Sequence, residues 1–417
     1  SQMIFSLFYL STILDKFRMK KLIALLLALV MILGCVACSS NTDTSTNDSQ
    51  TSGDTATDDT AATDDTAAED STDSDSLLPD SIKGSFLEDL EYEEGPLVVG
   101  SWGGSLDPVL EEVILPQFKE LTGQEFILDP SYSSTKMIAE GSGNTSVDVA
   151  IMGDSEVADL AAFDLVTDID FSKIVMDEYF YDIAHDATGK GVFFNWGRYG
   201  ICYRTDLCET APTSWGDLWD DEYAGHVAIN RMSSTAGKQL LTMAAQLNGG
   251  DQYNIDPGFE ALGDLAENNL FAVGESTAMM NQMITSGDVM IAAWWDGRTY
   301  ELKNSGVPVD YVTPEEGAFA CINEWVISKD CQCPNLAYAF INLCLDPENQ
   351  MSITPATGYG PCDTVSGEML PDELKERVID TPEEVETLII LDWPYISTQN
   401  ATWIERADKE IVAKIQQ

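Results

Sequence analysis

The chain is 417 residues long, with 71 acidic against 21 basic side chains and a formal net charge of −50. So large an acidic excess argues against nucleic acid and anionic lipid headgroups as partners. A hydrophobic fraction of 44% with nine tryptophans is ample for burial, and the length exceeds one comfortable core, so two lobes are expected.

Near the N-terminus, Lys20 and Lys21 precede an unbroken apolar run from Leu22 to Leu33, which ends in Gly34-Cys35-Val36-Ala37-Cys38-Ser39-Ser40. This is the layout of a secretory signal whose cleavage leaves a cysteine at the new N-terminus. Met19 reads as the start, residues 1–18 as an upstream mis-start, and residues 19–38 as a lipoprotein signal peptide. Ile32-Leu33-Gly34-Cys35 resembles a bacterial lipobox, and Val36-Ala37-Cys38 is a poorer second match, so Cys35 or Cys38 is the expected lipid attachment point. Two or more acyl chains on it would anchor the protein stably to the outer face of the cell membrane. The alternative is a transmembrane helix, but the run is shorter than the roughly 20 apolar residues that a span requires.

Residues 39–95 read as a tether. From Asn41 to about Glu94 the composition is mostly Ser, Thr, Asp and Ala, with Asp58-Asp59, Asp64-Asp65 and Glu69-Asp70 repeating loosely. Low apolar content and like-charge repulsion predict an extended, disordered spacer. An acidic partner-binding arm is the alternative.

The folded part is expected from Pro96 onward. Leu97 to Ser101 reads as a buried strand, followed by a helix with Asp107 as N-cap and Pro108 in its first turn, closed by Gly123. Pro116 should kink or divide that helix. Glu125 to Asp129 is a second strand, Thr135 to Glu140 a short helix, Val147 to Met152 a third strand and Asp154 to Phe163 a helix. This alternation predicts a parallel sheet with helices on both faces. Val192 to Tyr203 reads as two strand segments, after which the pattern restarts. A strand at Val227 to Asn230 is followed by helices at Ala236 to Leu247 and Gly258 to Asn268, then a strand at Val289 to Trp294. An extended segment from Ala318 to Ser328, an amphipathic helix from Pro334 to Leu345 and a surface helix from Thr402 to Ile415 complete the chain. Two α/β units with a late return of the chain describe a two-lobe clam.

Four groups of residues carry a resemblance. They are Ser101-Trp102-Gly103-Gly104-Ser105; Ser214-Trp215-Gly216-Asp217-Leu218-Trp219 with Glu222-Tyr223-Ala224-Gly225; Trp294-Trp295-Asp296-Gly297-Arg298 leading to Pro314-Glu315-Glu316-Gly317; and Ala337-Tyr338-Ala339-Phe340-Ile341-Asn342 before Gly358-Tyr359-Gly360-Pro361. In this order they resemble the solute-binding proteins of ABC importers, of the spermidine/putrescine-binding type, over nearly all of residues 96–417. The resemblance implies an α/β, two-lobe periplasmic-binding-protein-like fold of type II. Each lobe is a mixed sheet flanked by helices, and the ligand lies in the interlobe cleft. Lobe 1 would comprise 96–202 plus 322–362 and lobe 2 would comprise 203–321 plus 363–417, with crossings near Gly200–Arg204 and Ala320–Asn323 and a third after Tyr359. It further implies a monomer that captures a polyamine or similar small nitrogenous solute by hinge closure and delivers it to a permease, with no cofactor and no metal.

In polyamine-binding relatives, aromatic walls hold the methylene chain and carboxylates fix the ammonium ends. By that resemblance Trp102, Trp295 and Tyr359 are aromatic candidates, with Ser105 beside the first. Gly153-Asp154-Ser155 and Asn230-Arg231-Met232-Ser233-Ser234-Thr235-Ala236-Gly237 stand where other ligand contacts would fall. The family's amine-binding aspartate is replaced by Asn323, with Cys321 in place of an aromatic residue. Asp154 could supply a lost carboxylate or cap a helix, and Ser233 and Ser234 could donate to a carboxylate or form an ordinary N-cap. Asp296 and Glu324 are further ammonium partners, and Arg298 could meet an anionic end. A zwitterionic amino acid or opine-like compound therefore competes with a polyamine as solute.

Beyond the signal region stand Cys202, Cys208, Cys321, Cys331, Cys333, Cys344 and Cys362. Cys331-Gln332-Cys333 is too short a spacing for a usual zinc knuckle, and with only His185 and His226 present no structural zinc site is expected. A secreted enzyme is the rival class. No Gly-x-Ser-x-Gly elbow, HExxH helix or phosphate loop with lysine appears, so none is expected.

Overall fold

The structure is a computed structural model that describes residues 76–415. The signal peptide, both candidate lipidation cysteines and most of the acidic tether lie outside the described residues. Among those described, no helix is long and apolar enough to cross a membrane.

Among the described residues, ten strands form one mixed sheet. They are β1 (Leu97–Gly100), β2 (Phe126–Asp129), β3 (Val149–Gly153), β4 (Gly191–Arg204), β5 (Val227–Asn230), β6 (Leu270–Gly274), β7 (Ile291–Trp295), β8 (Val309–Val312), β9 (Phe319–Ile327) and β10 (Gly360–Pro361). The order is β2-β1-β3-β9-β4-β7-β5-β6, with β8 and β10 also paired to β4. The parallel pairings expected from the alternating pattern hold at β1/β2, β1/β3, β5/β6 and β5/β7. Between them β9 and β4 run antiparallel, so the sheet is mixed.

Period-2 burial sets the two faces of each half. On β3, Val149 and Ile151 enter one core and Ala150 and Met152 the opposite one. On β7, Ile291 and Ala293 face one way, Ala292 and Trp294 the other. Buried on both faces, these strands read as continuous apolar runs.

The principal helices are α1 (Leu106–Val109, a π-helical stretch Leu110–Ile114, then Leu115–Thr122), α2 (Ser134–Glu140), α3 (Asp154–Ala162), α4 (Thr235–Leu247), α5 (Asp256–Asn268), α6 (Thr277–Ser286), α7 (Asp296–Asn304), α8 (Pro334–Leu345), α9 (Pro347–Thr357) and α10 (Trp393–Ala407). The π stretch sits just before Pro116, whose missing N–H and ring cannot continue an α-helical ladder. Gly123 closes α1 in the left-handed conformation. Asp107 does not cap this helix; its carboxylate accepts from Ser101 Oγ instead, and the helix starts at Leu106.

Two large cores divide the fold. One gathers Phe118, Phe126, Trp196, Trp325 and Phe340, the other Tyr199, Trp215, Leu262, Phe319 and Trp403. β4 changes core between Trp196 and Tyr199, and β9 between Phe319 and Ala320. The β4 passage thus falls before Gly200, upstream of the expected 200–204. The third passage is later than expected. Cys362, Ile379 and Val385 still pack in the first core, and the change comes between Leu388 and Ile389, where Ile389 pairs beside Phe319.

Three further expectations are corrected. The packed structure already includes residues ahead of Pro96: Ser76 Oγ and Leu77 N–H bond Glu120 at 2.9 and 2.8 Å, and Leu78, Ile82 and Leu87 are buried in the first core. The burial of those apolar residues offsets the entropy of ordering this segment. Val192 to Tyr203 is one long strand with an irregular register at Phe193/Asn195, not two segments. The final helix begins at Trp393 and buries Trp393, Ile396 and Trp403 on its inner face, so it is part of the second core.

Candidate functional site

A cleft opens beside the C-terminal ends of β1 and β3, where βα loops project from such sheets. Its enclosed space is small, about 30 Å³. Trp102, Gly103, Ser105 and Leu106 come from the loop after β1 and the start of α1, while Ile151, Asn195 and Asn323 come from β3, β4 and β9. Arg298 and Glu301 come from α7, and Thr357 and Tyr359 from the end of α9.

Trp102 is 38% exposed, unlike the fully buried Trp196, Trp215, Trp294 and Trp325. Gly103 beside it has φ of 74°, and a Cβ there would sit 2.9 Å from the Pro130 carbonyl oxygen, so the turn presenting the indole requires glycine. Opposite, the Arg298 Nη1 contacts both Glu301 oxygens at 3.0 and 2.9 Å, and Ser105 Oγ donates to Glu301 at 3.1 Å. At the floor, Asn323 Nδ2 donates to Asn195 Oδ1 at 2.6 Å.

Tyr359 is nearly buried, and burial pushes its phenol well above its ordinary range. Gly197 makes room for it: a Cβ there would come within 2.5 Å of both the Tyr359 ring and Asp296 Oδ1. Asp296 lies beneath the cleft, its Oδ2 accepting from Arg198 Nε at 3.1 Å and its Oδ1 from Gly297 N–H at 2.7 Å. Burial raises the Asp296 carboxyl, and the Arg198 guanidinium opposes that rise.

Of the sequence candidates, Trp102, Ser105, Arg298, Asn323 and Tyr359 come together in this lining. The others are placed elsewhere. Trp295 is half-buried and packs against Trp294 and Tyr199, with ring centroids 4.6 and 5.9 Å away. Asp154 is buried and accepts from Ser155 N–H at 2.8 Å and from the Trp393 indole N–H. Burial pushes its carboxyl up to about 7. The Ser155 hydroxyl meets that of Thr235. Ser234 caps α4, its Oγ accepting from Gly237 N–H at 3.1 Å, while Ser233 is exposed. Glu324 points away from the cleft against Gly191, wholly buried, and its carboxyl is pushed far up by burial.

Asn195 and Glu301 were not singled out from the sequence. Asn195 is a lone polar residue inside the apolar run Val192 to Trp196, and Glu301 stands three residues after Arg298 on the same helix. Those two signals were available. A larger cavity of about 200 Å³ lies beside Arg198, Ile379 and Glu384. It is an open groove without an exposed aromatic wall, and its arginine is already held by Asp296 and the Arg377 carbonyl, so the Trp102 cleft is the better candidate.

Fold and cleft together define a two-core α/β binding protein. A solved ABC transporter structure from Clostridium perfringens shares this fold, with a TM-score of 0.65 at 23% identity over 76% of this chain and all (100%) of that one. Residues 114–379 match the bacterial extracellular solute-binding protein family, and the chain belongs to it. Among curated relatives, spermidine/putrescine-binding periplasmic protein 1 of Haemophilus influenzae is 26% identical over 276 residues, which is 63% of this chain and 75% of that protein. The γ-aminobutyric acid-binding protein of Pseudomonas aeruginosa is 24% identical over 194 residues, 45% of this chain and 54% of that protein.

Proposed function

We propose that this chain is the solute-capturing subunit of an ABC importer, held at the outer face of the cell membrane by lipid on Cys35 or Cys38. It takes a polyamine or a related small nitrogenous solute from the medium and presents it to a permease by closing its two halves. The observation that carries this reading is the Trp102 cleft. It lies between two separately packed cores joined by strands that pass from one to the other, which is the geometry of hinge closure. The polyamine-binding relative supports the solute class.

One observation favours a second reading of the solute. The lining holds a single carboxylate, Glu301, already paired with Arg298, so two ammonium ends would compete for one partner. A zwitterion would satisfy both members of that pair, and the γ-aminobutyrate-binding relative supports it.

The deciding experiment is a thermal-shift panel on the full chain with putrescine, spermidine, γ-aminobutyrate and common amino acids. A solute at a hundred times its dissociation constant adds about 2.7 kcal/mol to stability. Stabilisation by polyamines alone supports the first reading, and by zwitterions alone the second. No shift with any nitrogenous solute defeats both.

A further inference from the structure

Cys331 and Cys333 form the turn between β9 and α8, and Asp148 immediately precedes β3. Folding brings them together: the two Sγ atoms and a carboxylate oxygen of Asp148 all lie within 4.8 Å of one another. The arrangement is held by backbone pairing. Ser328 N–H donates to the Asp148 carbonyl at 2.8 Å, Cys331 N–H to the Ser328 carbonyl at 3.1 Å, and Asp148 N–H to the Val98 carbonyl at 2.8 Å.

The carboxylate is also oriented. Asp148 Oδ2 accepts from Val98 N–H at 2.9 Å, which fixes the plane of the group. The neighbouring acid, Asp330, is spent on Gly143 and Thr145 at 2.8 to 3.0 Å. Cys333 is buried at the N-terminus of the twelve-residue α8, where the helix dipole favours negative charge on sulfur.

We propose that Cys331, Cys333 and Asp148 form a binding site for a soft divalent cation, zinc foremost, with the fourth position left to water. Two thiolates and one carboxylate match the ligand preferences of zinc and exclude calcium and magnesium, which require oxygen. A tetrahedron on Zn–S bonds of about 2.3 Å has edges of about 3.8 Å, so the side chains need close by roughly 1 Å at most. Binding releases the thiol protons and ties the start of β3 to the β9–α8 turn. The site is at the opposite end of β3 from Gly153 and the cleft, so its occupancy is separable from solute capture. The spacing Cys-x-Cys alone is too short for a zinc knuckle. The site exists because β3 pairs with β9 and carries in the third ligand.

The test uses the full chain, reduced and freed of metal with a chelator, and titrated with Zn²⁺ alone by calorimetry and with Co²⁺ by absorption. The expected result is one zinc per chain and a cobalt–thiolate charge-transfer band. Cys331→Ser or Cys333→Ser abolishes both, and Asp148→Asn weakens zinc by at least about tenfold, since even outer-shell partners are worth that much. Cys331 is only partly buried, so Cys331→Ser keeps the test open if Cys333→Ser fails to fold. Three results overturn the proposal. One is no saturable zinc binding by the reduced chain. Another is zinc binding that survives both cysteine changes. The third is a Cys331–Cys333 disulfide in the purified chain whose reduced form binds no zinc, which would make the pair a redox couple.

Discussion

Ser105, in the loop after β1, donates its hydroxyl to Glu301 of α7 at 3.1 Å, joining residues 196 positions apart. Trp102 and Ser105 belong to the side of the cleft built on β1, Arg298 and Glu301 to the side built on β7. This hydrogen bond therefore spans the two halves at the mouth of the cleft. It also orients the Glu301 carboxylate towards Arg298.

Ser105→Ala removes that bond without altering the core. A hydrogen bond to a charged group contributes about 1.5–3 kcal/mol, and partial exposure places this one near the lower end. Solute binding is expected to weaken about tenfold, and small-angle scattering should show a more open chain. An unchanged affinity and an unchanged radius of gyration would exclude the contact from closure.

Trp102→Ala should weaken solute binding by about tenfold or more, because the indole is the exposed aromatic wall of the cleft. The melting temperature should hardly move, since little of the ring is in a core. A variant that binds normally by calorimetry would remove Trp102 from the site.

Arg298→Gln separates the two solute readings. If the solute carries a carboxylate, losing the guanidinium costs about 2–5 kcal/mol and binding becomes undetectable or nearly so. If the solute is a polyamine, the change frees Glu301 and removes a like charge, so affinity holds or rises. Parallel titrations with putrescine and γ-aminobutyrate read the difference.

The pH dependence of stability follows from buried acids. Burial raises Asp154 and Asp346 to about 7 and Asp363 to about 6, each above the value in an unfolded chain. Between about pH 4 and 7 the folded state therefore holds more protons than the unfolded state, and stability falls as pH rises through that window. Denaturant unfolding should give a higher midpoint at pH 5 than at pH 7.5. Asp154→Asn should flatten part of this slope while keeping an oxygen acceptor for the Trp393 indole. An unaltered slope would show that Asp154 does not titrate there.

Much of the fold was legible because it is local. The helix Pro334 to Leu345 has proline at its first position and ten consecutive buried residues, and it was read with those bounds. The strands at 97, 126, 149, 227 and 291 are apolar enough to be found within two residues. α7 was missed as a helix because Asp296, Arg298, Glu301 and Lys303 spread charge around it, leaving no apolar stripe. β6 is a short strand with Phe271 on its exposed side, which hides the burial pattern.

The site was legible in part for a different reason. Trp102 and Tyr359 were marked by the glycines around them and by the family motifs. Asp296 and Asp154 carry equally suggestive positions, yet Arg198 and Trp393 engage them, and neither partner is near in sequence.

The sequence by itself determined most of the secondary elements, the α/β class and the family, because apolar periodicity, caps and turn residues act within a few positions along the chain. The pairings that make the chemistry were decided only by tertiary structure: Ser105 with Glu301, Asn195 with Asn323, and Asp148 with Cys331 and Cys333. Each depends on the register of a long-range strand pair or on the approach of two cores. Register is set by burial of whole strand faces, a property of the assembled sheet and not of any one segment.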